Sequence, residues 1–123
     1  MITIDERGVR RTLAQGEVVF EEGAEGDEMF VVLDGRVDIV KRINGETTLL
    51  AQVVKGDFFG EMGVIEVASP RSATALAGQD GTRVLAIDQA RFVYLVSHQP
   101  AFALAVMEAL SRRLRATPEF YAA

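Results

Sequence analysis

Glycine recurs through the first two-thirds of this 123-residue chain, at Gly16, Gly23, Gly26, Gly35, Gly45, Gly56, Gly60 and Gly63, and none follows Gly81. Between the glycines lie short runs rich in β-formers: Glu17-Val18-Val19-Phe20, Met29-Phe30-Val31-Val32-Leu33, Val37-Asp38-Ile39-Val40 and Leu49-Leu50-Ala51-Gln52-Val53-Val54. Many short strands with a turn signal about every ten residues predict a sandwich or barrel. Asp34-Gly35 and Asn44-Gly45 are tight-hairpin signals, because both central residues of a type I′ turn need positive φ. A further strand pair is predicted at Ala73–Ala77 and Thr82–Ile87, with Gly78-Gln79-Asp80-Gly81 as its turn.

Beyond Asp88 the pattern changes to helix. Asp88 is a candidate N-cap, since its carboxylate can accept from free helical N–H groups, and a short helix over Gln89–Ser97 should follow. Pro100 suits the first turn of a second helix, where its missing N–H costs nothing. That helix should run to about Thr117 and stop at Pro118. Along it Ala103, Met107, Leu110 and Leu114 recur at coiled-coil spacing, which makes Pro100–Thr117 a candidate homodimer seam. The alternative is packing on the barrel, through this stripe or through Phe102, Val106 and Leu110. The expected organisation is one domain over 1–123, with a barrel at about 9–87 and a helical tail at about 88–118.

Composition removes several functions. No cysteine is present, which excludes disulfides, thiolate metal sites and thiol catalysis. His98 is the one histidine, so no imidazole cluster can form, and its ordinary role would be at the surface or as a helix cap. No metal and no catalytic residue is therefore expected. Net charge is −5, against the basic face that nucleic-acid binding needs. The cluster Arg112-Arg113-Leu114-Arg115 falls in a helix's last turns, where cations suit the macrodipole. Without a membrane-spanning run or a signal-peptide start at Met1–Arg7, the expectation is a cytoplasmic protein with no membrane partner.

The chemistry is concentrated in Phe58–Thr74. Gly60 and Gly63 let backbone approach a ligand closely. Residues Glu61–Glu66 can form one helical turn whose N–H groups would face an anion. Ten residues after Glu61, Arg71 supplies a permanent cation with a fork of donors suited to phosphate oxygens, and Ser72 adds a hydroxyl. Glu61 is an acceptor only, so it can take sugar hydroxyls and pair with Arg71. The bland alternative is a surface ion pair on an irregular loop.

Phe59-Gly60-Glu61-Met62, then a spacer, then Pro70-Arg71-Ser72-Ala73 closely resembles the phosphate-binding cassette of the cyclic-nucleotide-binding domain family, of catabolite activator and protein kinase regulatory subunit type. The resemblance covers most of the chain: Gly26-Asp27 with Met29–Val32 and Gly35 is similar to the family's early strand and turn, and Gly56–Gly60 to its approach to the cassette. It implies a mainly β, double-stranded β-helix (jelly-roll) barrel with C-terminal helices. It also implies residue roles. Glu61 would accept from the ribose 2′-hydroxyl, and backbone N–H groups at Gly60 and Met62 would position ribose and phosphate. Arg71 would pair with the exocyclic phosphate oxygens, with Ser72 and the Ala73 backbone completing the contacts. Ile39, Leu50 and Val53 resemble the apolar wall of the base pocket, a role that does not exclude membership of the barrel core. Thr117 matches a threonine that reads the adenine edge.

The chain also departs from the family. Pro118 stands where the activator has a serine that reaches the partner's ligand, and the activator's helix-turn-helix has no counterpart after Ala123, so no direct DNA binding is expected. The function implied is a non-enzymatic sensor of a cyclic nucleotide. Cyclic AMP is favoured over cyclic GMP because Ser72, not threonine, follows the cassette arginine. The competing functions are a ligand-free dimerisation or docking module and a cupin-type enzyme; the intact cassette argues against the first and the single histidine against the second.

Overall fold

The computed structural model describes residues 9–116. Along them run β1 (Val9–Leu13), β2 (Val18–Phe20), β3 (Glu28–Asp34), β4 (Arg36–Ile43), β5 (Glu46–Val54), β6 (Phe58–Phe59), α1 (Met62–Ile65), β7 (Thr74–Ala77), β8 (Thr82–Asp88), α2 (Gln89–His98) and α3 (Pro100–Arg115). The strands form two four-stranded antiparallel sheets, ordered β1-β8-β3-β6 and β2-β7-β4-β5. This is the mainly β, jelly-roll class, with helices at the C-terminal end. Two compact units divide the chain: one extends to Arg91, and the other begins at Phe92, inside α2.

The chain changes sheet at almost every connection, and this overturns two local expectations. Asn44-Gly45 does close a hairpin between β4 and β5, with φ of 52° and 81° as a type I′ turn requires. Asp34-Gly35 does not. Gly35 has φ of 84° but Asp34 stays in the ordinary region, and β3 and β4 lie in different sheets. Likewise Gly78–Gly81 joins β7 to β8 without pairing them: β7 pairs with β2 and β4, and β8 with β1 and β3. The turn's own N–H groups bond outward, Gly78 to Arg36 O at 2.8 Å and Gly81 to Leu13 O at 3.1 Å.

The core lies between the sheets: Leu13, Phe30, Val32, Val37, Val53, Phe59, Ala75, Ala77, Val84 and Ala86 form one buried cluster. Each large apolar side chain buried there contributes about 1.5–3 kcal/mol. On β3 and β8 the opposite set, Met29, Val31, Leu85 and Ile87, is buried as well. Those two strands are covered on both faces and therefore read as continuous apolar runs. In the helical unit, Leu95, Phe102, Val106 and Ala109 are buried, and Phe92 meets Phe102 edge-on at 5.9 Å between centroids.

The helix ends follow sequence chemistry. Asp88 Oδ1 accepts from the Arg91 N–H at 2.8 Å, capping α2. At the other end His98 is exposed, stacks on Tyr94 and places Nδ1 2.9 Å from Tyr94 O. Pro100 starts α3, and Arg112, Arg113 and Arg115 occupy its last turn. The described helix ends at Arg115, with Ala116 as its cap; Thr117 and Pro118 lie outside the described residues.

Candidate functional site

The two sheets deliver four strand ends to one place. Phe20 ends β2, Glu28 begins β3, Gly60 follows β6, and Arg71 precedes β7. The loop before Arg71 is tied down by its backbone: Arg71 N–H donates to Ala24 O and Arg71 O accepts from Gly23 N–H, both at 2.8 Å, and Glu25 bridges Pro70. Glu22 N–H donates to Thr74 Oγ1 at 2.9 Å, one step further along. Arg71 is thus fixed at its backbone before its side chain makes any contact.

That side chain is buried, at 8% exposure. Nη1 donates to Gly60 O at 2.9 Å and Nη2 to Glu28 O at 2.7 Å. The guanidinium carbon lies 4.2 Å from the centre of the Phe20 ring. Nε is buried and donates to nothing in the structure. Burial pulls the pKa of Arg71 down, while Glu28, then Asp27, then Glu61 push it back up. Arg71 is thus a buried cation with one donor left unpaired, which costs free energy in this state.

Glycine makes the space. A Cβ on Gly26 would stand 2.5 Å from Nη2 and 2.6 Å from Nε, and one on Gly63 would stand 2.7 Å from Nη1 and 2.6 Å from Glu28 O. Neither distance is tolerable, so any larger residue at Gly26 or Gly63 evicts the guanidinium or moves β3. The contribution of Gly26, Phe20 and Glu28 was not read from the sequence, because they lie 43–51 residues from Arg71 and only sheet pairing brings them near. The one available signal was the short spacing of Gly23 and Gly26 after Phe20.

The expected helical turn is present as α1, with Glu61 as its N-cap residue. The bonds of this turn use the N–H groups of Gly63, Val64, Ile65 and Glu66. Glu61 is half-buried and influences Arg71 through charge, whereas the hydrogen bonds that hold the guanidinium come from backbone carbonyls. Gly60 O and Glu28 O thus hold the guanidinium alongside the charge of Glu61. Carbonyls beside the guanidinium reach it with no side-chain entropy to lose. Ser72 is exposed, Ala73 is buried and Met62 is half-exposed. Ala68, in the loop between α1 and Arg71, has φ of 69°, an unusual conformation for a residue with a Cβ.

The three base-wall candidates share the β4–β5 pair. Val53 is buried opposite Val37 in the core, and Ile39 packs half-buried against the same cluster. Leu50 falls where the register shifts and is 51% exposed. Val53 is thus part of the core, Ile39 is shared between the core and the surface, and Leu50 is the most exposed of the three.

Glu28 carries a second consequence. Its carboxyl is raised above the ordinary 4.5, first by burial and then by Asp27 and Asp88, with Arg11 and Arg71 opposing. A carboxyl raised in the folded state favours folding while protonated, and that contribution disappears as pH rises through the folded value. Glu28→Gln should therefore gain stability over wild type at pH 7 and lose that advantage below pH 4.5. Urea unfolding at both pH values checks this; an advantage that does not shrink in acid would contradict it.

The profile of the family described as "Cyclic nucleotide-binding domain" matches residues 10–99. The chain belongs to that family. The "Cyclic AMP receptor protein" of Thermus thermophilus is 33% identical over 107 residues, covering 86% of this chain and 49% of the relative. The crystal structure of the Thermus thermophilus catabolite activator protein superposes with a TM-score of 0.79 at 32% identity, over 89% of this chain and 51% of that one. A structure from work on a cyclic-GMP-dependent signalling pathway in bacterial phytopathogenesis gives 0.74 at 30% identity, over 89% and 86%. This cyclic nucleotide-binding domain thus spans about half the length of its curated relative.

Proposed function

We propose that the domain is a sensor of cyclic AMP that acts by binding and not by catalysis. The observation that carries this reading is the buried Arg71 guanidinium with an unspent Nε–H, cradled by Gly26, Gly60 and Gly63. On this reading Arg71 takes the exocyclic phosphate oxygens, Ser72 and the Ala73 N–H complete the anion site, and Gly60 and Met62 position the ribose through backbone. Glu61, beside them, accepts from the 2′-hydroxyl. Leu50 offers the base an apolar surface, backed by Ile39 and Val53, and Thr117 is the candidate reader of the adenine edge.

A signal can leave the site through Gln89. Its side chain donates to Val64 O at 3.0 Å, which ties the first residue of α2 to the cassette turn α1. A ligand that moves α1 acts on α2 only by binding the two arrangements with different affinity. On α3, Met107 is 59% and Leu114 45% exposed, and Ala103 and Leu110 are half-buried, whereas Phe102 and Val106 are buried. Two of the four residues of the candidate dimer stripe are thus exposed, which supports a homodimer through α3. No single described helix is long and apolar enough to cross a membrane, and the net charge of −5 disfavours nucleic acid as a direct partner.

Side-by-side calorimetric titration tests the reading. Cyclic AMP is expected to bind more tightly than cyclic GMP and to raise the melting temperature, since a ligand that binds only the folded state stabilises it. A reversed order would reassign the ligand. Failure of both nucleotides to bind would leave a ligand-free dimerisation module.

A further inference from the structure

We propose that the aromatic ring of Phe20 is a positioning residue for anion binding, the platform on which the Arg71 guanidinium is held in the orientation that meets phosphate. This rests on the assignment of Arg71 to the phosphate. Two hydrogen bonds, to Gly60 O and Glu28 O, hold the edges of the guanidinium plane. They leave its tilt open. The Phe20 face, 4.2 Å from the guanidinium carbon, closes that freedom.

Phe20 can serve in this way because it is itself fixed. Its ring packs at 5.8 Å from Phe30 and 5.9 Å from Phe59, which stack on each other at 5.3 Å. A cluster of three rings therefore runs from the core to the cation. Gly60 is fitted to both members of the pair: a Cβ there would meet the Phe20 ring at 3.0 Å and Nη1 at 3.2 Å. The ring also supplies electron density to a charge that burial has stripped of water. A desolvated cation–π contact is worth about 2 kcal/mol, which sets an upper limit of about thirtyfold in affinity when a substitution removes it.

The test is to replace Phe20 site-specifically with mono-, di- and trifluorophenylalanine in the full chain. Fluorine drains the ring's face while nearly preserving its shape. Cyclic AMP binding by calorimetry and melting temperature are measured for each, beside Phe20→Leu and Phe20→Tyr. The expected result is a stepwise loss of affinity with fluorination, reaching about tenfold, accompanied by a fall of several degrees in the melting temperature of the unliganded protein, where the same contact is made. Phe20→Leu should lose at least as much, and Phe20→Tyr should bind close to wild type. Equal affinity across the fluorinated series, with wild type binding normally, would overturn the role of Phe20 and leave the function intact. Absence of binding by the wild-type protein, to cyclic AMP and cyclic GMP alike, would overturn the functional reading and this proposal with it.

Discussion

Arg71→Leu is expected to abolish micromolar binding of cyclic nucleotide while the barrel survives. The ligand's phosphate is a full anion, and the proposed site answers it with one buried cation. Removing a partner from a buried, hydrogen-bonded charge pair costs about 2–5 kcal/mol, mostly because the remaining charge is left unpaired. That corresponds to tens to thousands of fold in affinity. The fold should tolerate the change. Leucine leaves Gly60 O and Glu28 O without their donors, a penalty of about 1–3 kcal/mol for each carbonyl that stays dry. It also removes a desolvated charge and an Nε–H that had no acceptor. Calorimetry with cyclic AMP, beside a circular-dichroism melt, separates the two effects. Affinity within threefold of wild type would remove Arg71 from the site, and with it the central assignment.

Among the described glycines, Gly35→Ala should produce the largest loss of stability. Gly35 sits at φ of 84° where the chain passes from β3 in one sheet to β4 in the other. The left-handed conformation costs a residue with a Cβ about 1–2 kcal/mol. Space is the larger problem. The new Cβ would lie 2.5 Å from Thr82 Oγ1 and 2.8 Å from Thr82 Cα, and the second contact is backbone, so a rotamer change cannot relieve it. Thr82 is fully buried, and its hydroxyl lies 2.8 Å from Gln79 O and accepts from Arg36 N–H at 3.4 Å. Displacing it would strand those groups. Overpacking of this kind costs about 1–3 kcal/mol, which brings the total to roughly 3 kcal/mol or more. For a chain of this size the melting temperature should fall by roughly 10–20 °C. Gly45→Ala is the control: its φ is 81° but nothing lies within 4 Å of the added Cβ, so it should cost only the conformational part. Equal losses at the two positions would show that the contact with Thr82 carries no weight.

Much of the fold was legible because its signals are local. The runs from Met29, Val37, Leu49, Ala73 and Thr82 became strands, and Asn44-Gly45 became a hairpin, because these depend on residues within one turn of each other. β1 was missed because Val9-Arg10-Arg11-Thr12-Leu13 is charged and largely exposed at a sheet edge, and β6 because it has two residues. Strand partners were misjudged at Asp34-Gly35 and at Gly78–Gly81. A glycine turn signals that the chain changes direction, and nothing in the turn says which sheet it enters next.

The sequence by itself determined the strand runs, the helical tail from Asp88 and the helical turn that follows Gly60, since each rests on neighbours along the chain. Only the tertiary structure decided what holds Arg71. Its carbonyl partners come from Gly60 and from Glu28, 43 residues away, its ring partner from Phe20, and its space from Gly26 and Gly63. The reason is physical. A buried guanidinium is satisfied by whatever acceptors the packing of two sheets brings to it, and backbone carbonyls and missing Cβ atoms leave no mark in the identity of the residues that provide them.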